Sequence, residues 1–232
     1  MRARVYGVWL MVLCGGVVAA AAPADDGAPR GMAGRLIAHF HMQRIPEEGP
    51  WFALQYLNED TLAGESLPPR YAGRAHRAGS AIVLVETTRD FSALHRLRTD
   101  EVWHFYGGVP LELLLLYPDG HGRKVTLGKD VLGGQFPQFT VPHDVWQASA
   151  PLRDSPAAYS LAGDQLSPAF DDADFEMGYR DELEAAYPAY ARDIARFTRS
   201  GYVHRPAARA RDAAAGAVTA PRAVASRSGD NN

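Results

Sequence analysis

The strongest constraint on the fold is a series of short strand-like segments between residues 80 and 142. Each segment is rich in Val, Leu, Thr or aromatic residues and is bounded by Gly, Pro or Asp, a composition typical of β-strands. Turn sequences such as PDGHG and LGGQFP separate them. The predicted strands are 80–87, 101–107, 111–117, 124–128 and 138–142. Because no helical pattern interrupts them, we predict an all-β fold, an antiparallel sandwich or barrel.

Helical patterns flank this strand-rich region. A first helix is predicted at 31–42. Beyond the strands, apolar residues from Leu183 to Phe197 recur at helical spacing and form one stripe. Pro188 falls inside the stripe, and proline both removes a helical hydrogen bond and clashes with the preceding turn. We therefore expect a kink or two short helices around Pro188.

The beginning of the chain has the pattern of a secretory signal peptide. Two arginines precede an apolar run at 5–18, and a string of small residues follows it. The run is shorter than the roughly 20 residues that a membrane-spanning helix needs. A lipoprotein signal acylated at Cys14 is the alternative, but Leu13 is bulkier than the residue that such a signal has there. We predict a signal peptide at 1–24 and an exported protein, periplasmic or secreted, with no membrane span after cleavage.

Composition narrows the chemistry of the mature chain. Cys14 is the only cysteine and would leave with the signal peptide. A disulfide, a thiol nucleophile and a cysteine-bound zinc are therefore excluded. The net charge is −3 and both signs are dispersed, so we expect no nucleic-acid-binding surface. The expected partner is a small-molecule ligand, bound by a single domain.

The end of the chain, 204–232, is rich in Ala, Pro, Arg and Ser and has few large aliphatic residues. Such a segment buries too little apolar surface to offset the entropy lost on ordering. We predict a disordered tail there.

The segment FSALHRLRTDEVWHFYGG, at 91–108, concentrates the residues with chemistry. Strand alternation assigns Glu101, Trp103 and Phe105 to one face and Val102, His104 and Tyr106 to the other. An unpaired carboxylate among aromatic side chains is costly. Glu101 is therefore expected either to line a ligand site or to pair with His95, just upstream.

Several motifs in the same order give the chain a resemblance to a known family. These motifs are FSALHRLRTDEVWHFYGG, PLELLLLYPDG, FPQFTVPHDVWQAS and AYSLAGDQLSPAFDDADFEMG. They resemble the cupin-type family of unknown function that is often labelled as predicted sugar epimerases. Members are similar to cupins and to the dTDP-sugar 3,5-epimerases. The resemblance implies a double-stranded β-helix, the cupin jelly roll, at 32–199, with flanking N- and C-terminal α-helices, an interior ligand and a homodimer.

The resemblance also leaves a divalent metal open as cofactor. Cupins bind metal through histidines and a glutamate, and at those positions this chain has Ala93, His95, Glu101 and Gln147. His95 and Glu101 are retained, and Gln147 replaces a histidine. His104 would join them if a β-bulge turned it inward. His95, Glu101, Gln147 and His104 are therefore the candidate ligands of a metal-dependent cupin.

An epimerase or other isomerase would need a different set of groups. Removal of a proton next to a carbonyl requires a base near neutral pKa and an acid on the other side of the substrate. His95, oriented by Glu101, is the predicted base. Tyr106 or Tyr159 is the predicted acid.

A non-enzymatic module that binds a sugar or an organic acid is the competing hypothesis, and a purely structural pairing of His95 with Glu101 stays open as well. The candidate ligand-binding residues are Trp103, Phe105, Trp146, Gln147 and Arg96. The aromatic residues would stack on a ligand, although large aromatics are common in any protein core. Arg96 would hold a phosphate or carboxylate. Ile45 stands where the family has a histidine, which points to an altered ligand.

Overall fold

The computed structural model describes residues 29–206, so the predicted signal peptide at 1–24 and residues 207–232 of the predicted tail lie outside the described residues. Within 29–206 the chain forms three α-helices: α1 (Gly31–Phe40), α2 (Arg180–Ala186) and α3 (Ala191–Arg196). The strands of this part are β1 (Gln43–Arg44), β2 (Trp51–Leu57), β3 (Thr61–Leu62), β4 (His76–Arg77), β5 (Ser80–Thr87), β6 (Ser92–Leu97), β7 (Glu101–Gly108), β8 (Leu111–Leu116), β9 (Gly122–Leu127), β10 (Gln138–Val141), β11 (Trp146–Pro151), β12 (Tyr159–Leu166) and β13 (Phe175–Met177).

The strands form two antiparallel sheets that face each other across one interior. The six-stranded sheet has the order β1-β2-β5-β12-β7-β10, and the five-stranded sheet has the order β13-β6-β11-β8-β9. Neighbours in each sheet are mostly distant in sequence, because the chain crosses repeatedly from one sheet to the other. This topology confirms the predicted jelly roll with flanking helices.

Strand alternation decides which side chains fill the interior. On β8, Leu111, Leu113 and Leu115 point inward and join the core around Trp103. Leu114 and Leu116 point to the outer face, where they join a second cluster. The run LELLLL is thus buried on both faces, which is why it reads as nearly continuous hydrophobic sequence.

Helices cover part of each outer face. Ile37 of α1 packs on the six-stranded sheet with Val83 and Val85. Leu183 of α2 and Ile194 of α3 cover the five-stranded sheet. A short 3-10 helix at Pro188–Tyr190 separates α2 from α3, which confirms the expected two short helices. None of the helices within 29–206 has the length and apolar character required to cross a membrane.

β3 and β4 form a separate two-stranded sheet in the connection between β2 and β5. Hydrogen bonds join this connection to residues next to the five-stranded sheet. His76 is buried and its Nε2 lies 2.7 Å from Oδ2 of Asp174, just before β13. Arg74 donates to the other oxygen of the same carboxylate. Tyr71 is fully buried, with its hydroxyl 3.0 Å from that of Thr99, next to the start of β7.

The five predicted strands correspond to β5, β7, β8, β9 and β10. The sequence prediction did not include the other strands, among them β2, β11, β12, β13 and β6, which carries His95. β11 has the sequence WQASAP and is buried at every position. Its small residues give no clear alternation of polar and apolar side chains, so local pattern does not mark it as a strand.

Ile194 provides a test of the helical cover. It is fully buried against the outer face of the five-stranded sheet. Ile194→Ala should lower the free energy of unfolding by about 2 to 4 kcal/mol, because it removes packed methyl groups and leaves a cavity. Urea unfolding measures this, with the exposed Val131→Ala as control. A loss no larger than that of the control would contradict an integral role for α3.

Candidate functional site

The interior between the sheets has an apolar half and a polar half. The apolar half is the core around Trp103 and the inward leucines of β8. The other half contains eight buried polar side chains, which we call the polar interior: Glu48, Glu86, Ser92, His95, Glu101, Gln147, Ser149 and Asp164. Hydrogen bonds and charge interactions connect these residues.

Trp103 joins the two sheets through a triangle of hydrogen bonds. Its indole Nε1 donates to Oε2 of Glu101 over 3.0 Å and to Oε1 of Gln147 over 3.1 Å. The amide of Gln147 donates to the same Glu101 oxygen over 2.5 Å. Glu101 and Trp103 are two residues apart on β7 and therefore share the inward face. Gln147 reaches them from β11 in the opposite sheet.

His95 lies on β6, directly opposite Gln147 of β11, and is 2% exposed. Its Nδ1 is 2.9 Å from the carbonyl oxygen of Ala93. A carbonyl oxygen only accepts hydrogen bonds, so Nδ1 carries a proton, and in the neutral imidazole Nε2 has the lone pair. Within 29–206 no protein group hydrogen-bonds to Nε2. The imidazole stacks on Phe175, with 5.4 Å between the ring centres.

Glu48 is the carboxylate nearest to His95. Its Oε1 accepts a hydrogen bond of 2.5 Å from the hydroxyl of Ser92 and lies 3.9 Å from Nδ1 of His95. The Ser92 hydroxyl is itself 3.5 Å from that nitrogen. Glu48, Ser92 and His95 thus form a chain of polar contacts at one side of the imidazole.

A turn between β1 and β2 carries Glu48 into the interior, and the C-terminal segment holds this turn in place. Arg199 donates from Nε to the carbonyl of Glu48 and from Nη2 to that of Phe91, both over 2.6 Å. Gly49 in the turn has φ +120°, and a Cβ there would lie 1.7 Å from the Arg199 guanidinium. Only glycine therefore fits this position.

Glu86 and Asp164 complete the polar interior from the six-stranded sheet. Glu86 of β5 accepts a 2.5 Å hydrogen bond from the hydroxyl of Ser149, on β11 of the other sheet. Asp164 of β12 lies in register with Trp103 of β7. Alternation from Ala162, which packs in the apolar core, places Asp164 on the inward face.

Burial raises the pKa of three of these carboxyl groups. Desolvation is the largest cause for each, since a buried carboxylate loses its hydration. It raises the pKa of Glu86 to about 8. The pKa of Glu101 rises to about 7, with the nearby charge of His95 opposing the increase. The pKa of Asp164 is raised well above its usual value, first by burial and then by Glu101 and Glu48.

Comparison with known proteins agrees with this architecture. The family model described as "Cupin superfamily (DUF985)" matches residues 34–178, more than half of the chain. The chain belongs to the cupin superfamily. Its match ends just before α2, so the helices that cover the five-stranded sheet lie beyond it. No curated protein matches this cupin.

Two solved structures are similar to this cupin over most of their length. A hypothetical protein from Leishmania major is 27% identical, with a TM-score of 0.64, and the alignment covers 72% of this chain and 99% of that one. A protein from Shewanella oneidensis is 29% identical, with a TM-score of 0.62, and the alignment covers 72% and 97%. Neither name states an activity, so the comparison extends to family and fold.

The hydrogen-bond partner expected for His95 differs from the one in the structure. Glu101 was expected to orient it, but Glu101 is occupied by the side chains of Trp103 and Gln147. His95 instead contacts Ala93 and lies beside Glu48. Glu101 affects His95 through charge alone.

Three of the four candidate metal ligands, His95, Glu101 and Gln147, lie in the polar interior, and His104 does not. Oε2 of Glu101 and Oε1 of Gln147 already accept the indole hydrogen of Trp103. A bulge does occur on β7, but it lies at Tyr106, beyond His104, so His104 stays on the outer face. Residues 29–206 contain no group of three or more His, Cys, Asp or Glu side chains placed to hold a metal ion. The four predicted ligands therefore do not meet at one site within 29–206, because His104 is on the other face of β7.

The two tyrosines proposed as acids lie away from His95. Tyr106 is on the outer face of the six-stranded sheet and is 51% exposed. Tyr159 packs in the cluster beneath α1, on the same outer face. Strand alternation is the reason. Side chains of neighbouring strand residues point to opposite faces, and both tyrosines lie at positions whose side chains point outward on β7 and β12.

The predicted ligand-binding residues are divided between the two faces. Trp103, Phe105 and Gln147 face the interior, Phe105 against the apolar core. Trp146 lies on the outer face of the five-stranded sheet, beneath the helices. The Arg96 guanidinium lies over the Trp146 ring at 4.5 Å and donates two hydrogen bonds to Glu176. Trp146 and Arg96 therefore do not contribute to the interior site.

The sequence prediction missed Glu48, Glu86, Ser92, Ser149 and Asp164. One signal was available: Ile82, Leu84 and Glu86 alternate on β5, so a carboxyl group ends an inward apolar stripe. Asp164 continues the inward face of β12 in the same way, but β12 was not predicted. The inward position of Glu48 depends on a turn held by distant Arg199, which no local pattern indicates.

Glu86 gives this cupin a pH-dependent stability. Between pH 5 and pH 8 the folded state keeps a proton that an unfolded glutamate has released, so the free energy of unfolding falls as pH rises. Glu86→Gln, which imitates the protonated acid, should remove this contribution. We therefore compare the free energy of unfolding of the variant with that of the wild type at each pH. The variant value minus the wild-type value should increase by about 2 kcal/mol or more from pH 5 to pH 8.

Urea unfolding at pH 5, 6, 7 and 8 measures this difference. Glu65→Gln, at an exposed position, is the control and should follow the wild type at each pH. A Glu86→Gln difference that stays constant over this range would contradict a protonated Glu86 in the folded state.

Proposed function

We propose that this cupin binds a small polyhydroxylated carbonyl compound in its polar interior and acts as an isomerase or epimerase with His95 as the base. The observation that carries the proposal is the orientation of His95: its Nδ1 donates to Ala93, and its Nε2 lone pair lies in the interior without a protein partner within 29–206. A histidine with a fixed tautomer and a free nitrogen has the properties of a general base.

Glu48 supports this role of His95. When Nε2 takes a proton from the substrate, the imidazole becomes positively charged. The Glu48 carboxylate, 3.9 Å from Nδ1 and hydrogen-bonded to Ser92, stabilises that charge. Glu48 is thus a positioning and electrostatic residue, in the place that was expected for Glu101.

Glu101 is the best-supported acid. Its pKa of about 7 means that a substantial fraction of the carboxyl group is protonated near neutral pH. In the proposed reaction His95 removes the proton from the carbon next to the carbonyl, and Glu101 donates its proton to the carbonyl oxygen. The His95 imidazolium then returns its proton to carbon and the Glu101 carboxylate takes a hydroxyl proton from the enediol. Return to the neighbouring carbon moves the carbonyl, and return to the original carbon inverts it if the enediol has turned its other face to His95.

A surface cavity suggests the route to His95. It has a volume of about 280 Å³ and opens at β6 and β13, with Arg98, Asp174 and Phe175 among its lining residues. Phe175 also stacks on the imidazole of His95. A shift of the Phe175 ring would connect the cavity with the polar interior, so we propose that the ligand enters there.

We also propose that the protein is exported, on the basis of the N-terminal sequence pattern at 1–24. An exported cupin would meet free sugars more often than nucleotide-linked ones. Mass spectrometry of the protein purified from its native host would test this, because a mature N-terminus at Met1 would contradict export by cleavage.

Hydrogen exchange with solvent tests the proposed chemistry directly. A base that removes the proton next to a carbonyl exchanges it for deuterium in D2O, and proton NMR detects the loss for each member of a panel of aldoses and ketoses. His95→Gln should slow exchange by at least about a hundredfold, the usual range for a lost general base. His104→Gln, on the outer face of β7, is the matched control and should leave the rate unchanged.

The outcomes separate the candidate functions. No exchange with any member of the panel, or equal rates in wild type and His95→Gln, would overturn the proposed reaction. Ligand binding without exchange would identify a binding module, in which the Glu101, Trp103 and Gln147 triangle is a preorganised wall.

A further inference from the structure

Asp164 is a buried carboxyl group without a protein partner. It is 6% exposed, and within 29–206 no backbone or side-chain group donates a hydrogen bond to it. It lies on the inward face of β12, between Ala162 and Leu166, in register with Trp103. Buried polar groups in proteins nearly always have a hydrogen-bond partner. The Asp164 oxygens are not among the fully enclosed side-chain atoms that lack a partner within 29–206, so water or a ligand can reach this carboxyl and supply its partner.

The other three carboxyl groups of the polar interior do have partners. Glu48 accepts from Ser92, Glu86 from Ser149, and Glu101 from Trp103 and Gln147, as described above. In the described part of the chain, each of these three groups therefore accepts at least one hydrogen bond, and Asp164 accepts none. The difference is specific to one position, which points to a bound group at that position rather than to a general shortage of donors.

The charges of the polar interior favour a cation there. Glu48, Glu86, Glu101 and Asp164 are its four carboxyl groups, and His95 is its one ionisable base. Within 29–206 no lysine or arginine side chain forms an ion pair with any of the four. The Arg199 charge acts on Glu48 and Glu86, but its guanidinium hydrogen-bonds to the carbonyls of Glu48 and Phe91 and not to a carboxyl group. Burial and mutual repulsion oppose ionisation of these groups; a cation would allow one of them to ionise, whereas a phosphate or carboxylate would oppose it further.

We infer that the ligand of the polar interior carries an ammonium group bound by the Asp164 carboxylate, so that the substrate class is an amino sugar or a similar aminated carbonyl compound. This inference rests on the proposed function. An ammonium group forms charge-assisted hydrogen bonds with a carboxylate, which are stronger than those of a hydroxyl. Organic acids, uronates and sugar phosphates are not expected as ligands, because their negative charge would oppose ionisation of these carboxyl groups.

Three probes with the same ring and different charge test the inference: glucosamine, glucose and glucuronate. Isothermal titration calorimetry compares their binding to the wild-type protein, to Asp164→Asn and to Asp154→Asn, an exposed control. We expect glucosamine to bind at least tenfold more tightly than glucose, and glucuronate to give no binding. In Asp164→Asn the preference for glucosamine over glucose should disappear. Asp154→Asn should behave as wild type.

The outcomes distinguish this inference from the proposed function. Equal affinity for glucose and glucosamine, or any preference for glucuronate, would overturn the inference and leave the proposed function standing. A preference for glucosamine that survives in Asp164→Asn would overturn the role of Asp164. Absence of binding by all three probes, together with absence of deuterium exchange, would overturn both. Should Asp164→Asn not fold, the comparison of probes on the wild-type protein still decides the charge of the ligand.

Discussion

The shared indole hydrogen of Trp103 is the interaction on which the polar interior depends. It donates to Glu101 in its own sheet and to Gln147 in the facing sheet, and Gln147 closes the triangle. A carboxyl group enclosed between two sheets is costly unless donors reach it. The triangle supplies those donors and at the same time sets the distance between β7 and β11. Because Gln147 lies opposite His95, it also fixes the strand that carries the proposed base.

The C-terminal part of the described chain positions a residue of the site, although none of its own side chains lies in the polar interior. Arg199 binds the carbonyls of Glu48 and Phe91 and so holds the turn that places the Glu48 carboxylate beside His95. Gly49 leaves the space that the guanidinium fills. Arg199 lies beyond the matched family region, 34–178. The helical extension is therefore more than a cover for the five-stranded sheet, since it orients a group next to the proposed base.

Nε2 of His95 and the carboxyl group of Asp164 have no hydrogen-bond partner within 29–206. The first has the chemistry of a base, and the second that of a cation acceptor. The raised pKa values of Glu86 and Glu101 show that the surrounding interior favours neutral acids over carboxylates. An arriving positive charge relieves this electrostatic cost, whereas a negative one increases it. The proposed proton transfer and the proposed positive charge of the ligand thus both follow from the burial of these carboxyl groups.

The sequence by itself determined what local periodicity can encode. It predicted β5, β7 and β8, the shared inward face of Glu101 and Trp103, and His95 and Gln147 as interior residues. Only the tertiary structure decided that Glu48, Glu86 and Asp164 join them and that Tyr106 does not. Glu48 meets Ser92 across 44 residues and Glu86 meets Ser149 across 63. Such contacts depend on strand order and register, which are established when the two sheets pack against each other. The short-range alternation of side chains contains no information about them.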